Sequence, residues 1–149
     1  MNYQVFFNRD VIKAQNMDFD KIKQIVVNSL KEDSCVLYAC DMEKTMTESI
    51  PKEVKFRIIN GYNRERSGDV VVVLKPNYYA HGMKGTDHGA WNAYDTHIPL
   101  VFMGWGIKHG ATTKQTFMTD IAPTVAALLH VQAPNGCIGK PIFGNIVNQ

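Results

Sequence analysis

Four consecutive valines and a leucine, Val70–Leu74, constrain this chain more than any other stretch. Side chains branched at Cβ are stiff in a helix and pack well on a pleated surface, so the run predicts a β-strand. Its apolar residues are consecutive rather than alternating, which predicts cover on both faces of the strand. A polar turn at residues 63–69 leads into it, and Pro76, which lacks a backbone donor, ends the ladder just beyond it.

A strand covered on both faces requires helices around it, and the sequence supplies candidates. Phe19, Ile22, Ile25, Val26 and Leu30 recur at spacings of three and four, with Lys21, Lys23 and Gln24 assigned to the solvent side and Asp18 as N-cap. A second helix is predicted from Pro51 through Val54, Ile58 and Ile59, with Gly61 as a left-handed C-cap. A third follows Thr119 and Asp120, with Pro123 in its first turn and Ile121, Val125, Leu128 and Leu129 on its buried face. Further strands are expected at residues 5–7, 34–40 and 98–103. Alternation of strands and helices predicts an α/β fold with a largely parallel sheet flanked by helices, and 149 residues make one domain, 1–149, with a real core.

Composition narrows the function classes. With 45% hydrophobic and 20% charged residues, the chain is globular in type. A formal charge of +2, with lysines scattered rather than striped, gives no footprint for nucleic acid. No apolar segment approaches the roughly 20 residues of a membrane span, and the first residues have no signal-peptide pattern. Of the three cysteines, Cys35 and Cys40 are expected as buried small residues, and the spacing to Cys137 matches neither a zinc ribbon nor a redox pair.

Chemistry is expected between the two apolar runs, on the loop after Leu74. Residues 77–94 read as a long loop, uncommon unless functional, and the stretch 84–97 contains His88, His97, Asp87 and Asp95 together with Gly85 and Gly89. Taken alone, His88 beside Asp87 is a weak metal signal, because a catalytic zinc takes about three protein ligands. His97 is expected to hydrogen-bond a carbonyl or carboxylate and pin the loop, with a role in orienting a metal ligand as its alternative. His81 is a candidate substrate contact, and His109 and His130 read as turn and helix-end residues. Ser67, Thr86 and Thr96 have no neighbouring base, and no Gly-x-Ser-x-Gly elbow or phosphate-cradling glycine loop is present, so no catalytic or cofactor-binding residue is assigned.

Taken together, several segments resemble the carboxyl-terminal part of PafA-like alkaline phosphatases, in the superfamily that includes type I phosphodiesterases and nucleotide pyrophosphatases. They are Asn60-Gly61-Tyr62-Asn63 with Arg66-Ser67-Gly68-Asp69, Val73-Leu74-Lys75-Pro76, Gly85-Thr86-Asp87-His88-Gly89, residues 94–100, Gly104-Trp105-Gly106-Ile107 and residues 119–124. The resemblance implies an alkaline phosphatase-like fold of which only the carboxyl-terminal part is present. It also implies a parent hydrolase with two zinc ions acting on phosphate esters, exported to the periplasm or beyond. His88 then takes the role of a ligand to one zinc, with Asp87 as a weaker second candidate, and Asp95 and His97 support it. The nucleophile and the other ligands have no counterpart here, so the chain alone is expected to be inactive, and a sheet missing its neighbours should expose apolar edges and favour self-association. A phosphodiesterase or sulfatase-like parent, or a non-catalytic binding or assembly protein on part of the same scaffold, is the alternative.

Overall fold

The valine run is a strand, the middle one of three among the described residues. The computed structural model describes residues 3–79, 89 and 91–142. In chain order these form β1 (Gln4–Val5), α1 (Arg9–Ala14), α2 (Phe19–Glu32), β2 (Val36–Asp41), a 3-10 turn (Met42–Lys44), α3 (Lys52–Gly61), β3 (Val70–Leu74), α4 (Ala93–Thr96), a second 3-10 turn (Met118–Asp120) and α5 (Ile121–Leu128). They fall into two compact units, Met1–Ile98 and Pro99–Gln149.

In the first unit the sheet order is β1-β3-β2. Both pairings are antiparallel: Val36 stands opposite Leu74 and Asp41 opposite Val70, while Gln4 lies opposite Val71. An α/β arrangement with helices around the sheet is therefore present, but the expected parallel pairing is not found among the described residues. The reason lies in the connection. Met42 N donates to Asp69 O at 3.0 Å, so the excursion through α3 leaves and re-enters the sheet at the same end. Alternating elements in a sequence do not reveal whether a connection crosses the sheet or returns to its starting edge. Val70 and Val73 are buried and the other three residues of β3 are partly covered, so cover is uneven within this chain.

Local signals account for the helices. Asp18 accepts a hydrogen bond from Lys21 N at 3.1 Å and starts α2, as expected. Asn8 does the same for α1 through Val11 N at 3.1 Å, a short helix that the sequence pattern missed because six residues are too few to show a period. Pro51 precedes α3, where its missing N–H is harmless. Gly61 is the last helical residue and does not have the left-handed conformation expected of it.

One residue of α2 departs sharply from its assigned side. Lys23, expected in solvent, is 3% exposed. Its Nζ sits 2.7 Å from Asp41 Oδ2, 3.3 Å from Asp20 Oδ1 and 3.8 Å from Glu43 Oε2. The ammonium also lies 4.9 Å from the Phe19 ring centroid, and Arg9 occupies a similar position over that ring at 4.6 Å. Arg9 pairs in turn with Asp69, whose other oxygen accepts from Phe7 N at 3.0 Å. A buried ammonium is tolerable only with such partners, and here β2 and the turn after it provide them. Cys40 is fully buried and Cys35 half-buried, both as free thiols.

In the second unit, Asp120 and Thr124 tie α5 to the following chain. Asp120 accepts from Phe117 N and from Lys140 N, both at 2.9 Å; the Thr124 hydroxyl donates to Asp120 O at 2.6 Å and accepts from Ile142 N at 2.9 Å. The buried residues of α5 are Pro123, Thr124 and Ala126, whereas Val125 and Leu129 are exposed, so its face is rotated from the expected one. Residues 98–103, expected as a buried strand, are also different. No strand is assigned there among the described residues, and Val101 and Met103 are 80% and 96% exposed. A strand is a paired object, and no pairing of this stretch is found among the described residues.

Candidate functional site

His88 and Asp87, the expected zinc ligand and its weaker companion, lie outside the described residues, as do His81 and Thr86. The described residues on either side of them belong to the first unit and are held by a specific set of bonds. On the side of β3, Asn77 adopts φ +69, a left-handed conformation that asparagine tolerates, and its N–H donates to Tyr94 Oη at 3.1 Å. The same phenol oxygen accepts from Asn92 Nδ2 at 3.3 Å. One tyrosine thus bridges the chain leaving β3 and the chain entering α4.

Gly89, the neighbour of His88 in sequence, is fixed from α4. Its N–H donates to Asp95 Oδ2 at 2.9 Å. A carboxylate accepting from a backbone N–H is a charge-assisted bond, stronger than a neutral one. Asp95 is itself positioned because its N–H and that of Thr96 donate to Asn92 O at 2.9 and 3.0 Å, opening the single turn of α4. Arg57 on α3 holds the next described residue through Nη1 to Trp91 O, 2.9 Å. The arrangement restrains the backbone at Gly89 and Trp91 from two separate helices.

The loop that His97 is expected to pin, and the ligand it would orient, lie outside the described residues. The His97 backbone N–H donates to Ala93 O at 2.9 Å and closes α4, while the side chain is exposed. Ser67 and Thr96 use their hydroxyls locally, Ser67 accepting from Asn63 N at 2.9 Å and Thr96 donating to Asn92 O at 3.1 Å. His109 is exposed, and His130, with φ +53, ends α5 as expected.

Beside this frame a cavity of about 320 Å³ is lined by Tyr3, Val54, Arg57, Val72, Gly89 and Trp91 among others. The Trp91 indole N–H is buried and meets no acceptor among the described residues. Burial of an unmet donor is costly, typically about 1–3 kcal/mol. Among the described residues no three His, Cys, Asp or Glu side chains gather closely enough to hold a metal ion. They do not by themselves form a zinc site, which needs about three protein ligands when catalytic. No helix among the described residues is long and apolar enough to cross a membrane.

No family profile matches the chain. Solved structures do, and they define the class of fold as that of an alkaline phosphatase: crystal structures of wild-type PafA and of a variant of it superpose with TM-scores of 0.94 and 0.93. Each is 46% identical, with 99% of this chain covered and 28% of the other. In sequence the chain corresponds to a segment of the PafA and PhoV alkaline phosphatases. It is 48% identical to alkaline phosphatase PafA of Elizabethkingia meningoseptica over 143 residues and 51% identical to alkaline phosphatase PhoV of Synechococcus elongatus over 142. A Myroides odoratus protein named calcium-transporting ATPase is 47% identical over 143 residues. In each case the match takes in 95% of this chain, which spans only about a quarter, 26%, of the relative.

Proposed function

We propose that the chain is the carboxyl-terminal segment of a zinc-dependent phosphate-ester hydrolase of the phosphomonoesterase type, and that it is inactive by itself. The observation that supports this reading is the near-complete match of this chain to about a quarter of PafA and PhoV. His88 is its metal ligand, and the bond from Gly89 N to Asp95 Oδ2 is what steadies the backbone next to it. Zinc, when bound by the complete set of ligands, would supply electrostatic stabilisation to the phosphoryl group. A lone imidazole cannot retain a catalytic zinc, so the remaining donors and the nucleophile must come from another stretch of polypeptide. The substrate is a phosphate ester, by correspondence with the phosphatases it matches, and the compartment is periplasmic or extracellular, as the family resemblance implies.

Two measurements on the purified 149-residue chain test this reading. Aryl phosphate hydrolysis with excess zinc should not exceed the zinc blank, and zinc titration should show weak binding that His88→Ala reduces further. Robust zinc-dependent turnover that disappears in His88→Ala would refute the claim of inactivity. Unchanged zinc binding in that variant would refute the role of His88.

A further inference from the structure

The dipeptide Asn-Gly occurs twice, at Asn60-Gly61 and Asn135-Gly136, and the fold places the two in different backbones. All four residues are exposed, so accessibility does not distinguish them. Gly61 is the last residue of α3, and its N–H is engaged by the helical ladder, which runs from each N–H to the carbonyl four residues back. Asn135 and Gly136 instead form a turn in the second unit. Cys137 N donates to Pro134 O at 3.2 Å, Asn135 keeps a negative φ and Gly136 has φ +76. A positive φ confined to the third residue defines a type II turn, whose closing bond leaves the central peptide outside the ring. The nitrogen of that peptide is Gly136 N, and no atom of the described residues lies within 4 Å of where a Cβ on Gly136 would stand.

We propose that Asn135 is a self-modifying site, at which the chain converts its own asparagine to an isoaspartyl linkage, while Asn60 keeps its amide. The Gly136 nitrogen, after losing its proton to hydroxide, attacks Cγ of Asn135. A bond forms between them, the Cγ–Nδ2 bond breaks, and Nδ2 leaves as ammonia, which gives a succinimide. Water then opens the ring without oxidation or reduction. Addition at the main-chain carbonyl carries the backbone through Cβ and Cγ as isoaspartate, and addition at Cγ gives aspartate. Ring closure swings the central peptide toward the side chain, and glycine has no Cβ to oppose that rotation. At Asn60 the same movement first has to break a helical hydrogen bond. Beyond the turn, Lys140 N is bonded to Asp120 Oδ1 and Ile142 N to Thr124 Oγ1, both at 2.9 Å. An isoaspartyl residue lengthens the main chain by one methylene between α5 and these anchors, so the modified form holds residues 130–142 less firmly on α5. The chemistry is independent of phosphate-ester hydrolysis.

To test this, the 149-residue chain is held folded in mildly alkaline buffer and sampled over days. Peptide mass spectrometry follows the conversion of amide to acid at each asparagine, and methylation by a protein isoaspartyl methyltransferase with S-adenosylmethionine measures the isoaspartyl product. Asn135 should convert at least about fivefold faster than Asn60, the factor set by the helical hydrogen bond that Gly61 N must give up. In unfolding concentrations of urea the two sites should convert at similar rates, because only the local sequence then acts on them. Asn135→Gln, exposed in the turn, should remove the early isoaspartyl signal without changing the unfolding midpoint. Aged wild-type chain should be cut by protease within residues 130–142 faster than the aged variant. Equal conversion of Asn60 and Asn135 in the folded chain would overturn the proposal, as would an isoaspartyl signal of undiminished size in Asn135→Gln. A preference for Asn135 that persists unchanged in urea would also overturn it, since the turn would not be its cause. Equal proteolysis of aged wild type and variant would refute the loosening of residues 130–142.

Discussion

The buried pair Lys23 and Asp41 makes a demanding prediction, because the sequence pattern places this lysine in water. Its Nζ is 2.7 Å from Asp41 Oδ2 and its side chain is 4% exposed, against 8% for the aspartate. Removing one member of a buried pair typically costs about 3–5 kcal/mol, because the other is left charged and desolvated. The lower end applies here: Lys23 without Asp41 keeps Asp20 and Glu43, and Asp41 without Lys23 keeps Lys44 at 3.8 Å and the bond from Glu43 N. Lys23→Met and Asp41→Asn should therefore each lose about 3 kcal/mol, a large share of a stability of about 5–15 kcal/mol. The double variant should lose no more than either single one, since no charge is left stranded, which makes the coupling energy about 3 kcal/mol. Urea unfolding followed by far-ultraviolet circular dichroism provides the four stabilities, provided the denaturant slope is unchanged across the set. Additive losses, with a coupling below about 0.5 kcal/mol, would show that Lys23 is solvated and refute the reasoning.

Alkaline pH provides an independent check on the same pair. Burial pulls the Lys23 pKa down, but the hydrogen bond and charge of Asp41, with those of Asp20, outweigh it and leave the value raised. A raised value means the folded state holds the proton more tightly, so this stabilisation is complete below the unfolded lysine value of about 10.4 and is lost as pH rises through the folded one. Lys23→Met should flatten the stability profile in that window, and an unchanged profile would count against the pair. In the second unit, a Cβ on Gly139 would lie 1.9 Å from Thr119 O, so Gly139→Ala must push the two backbones apart. It should destabilise by about 1–3 kcal/mol and expose residues 130–142 to limited proteolysis, whereas wild-type resistance would show that the approach is looser in solution. Burial raises the Cys40 thiol above its ordinary value and the neighbouring Asp33 raises that of Cys35, so both should react slowly with a thiol reagent at pH 8. Cys40 should become reactive only on unfolding; labelling at the rate of an unfolded control under native conditions would be inconsistent with its burial. On the proposed reading of His88 as a zinc ligand, Asp95→Ala introduced into a complete enzyme should weaken zinc affinity by about 10–100-fold, while Asp95→Asn, which keeps an acceptor for Gly89 N, should restore part of it. Equal losses in both variants would assign Asp95 a role through its charge rather than through that bond.

Local chemistry was readable residue by residue. The valine run, the cap at Asp18, the proline before α3 and the helix after Asp120 express preferences that each segment carries within itself, and the structure contains all of them. The combination of short motifs around residues 60–124 likewise sufficed to indicate an alkaline phosphatase fold, which the superposition on PafA supports directly. His88 was singled out by type and setting, and Asp95 by its nearness in sequence; only the folded chain shows the Asp95 carboxylate reaching back to Gly89 N.

Tertiary structure decided what depends on neighbours. Strand direction was one such outcome, because the bond between Met42 and Asp69 returns the chain to the edge it had left. Lys23 was another, since a helix pattern assigns sides but cannot foresee that Asp41 will stand behind the polar side. The stretch at residues 98–103 was a third: its sequence specifies an apolar extended segment, whereas being a strand requires a paired backbone, and no pairing of it is found among the described residues.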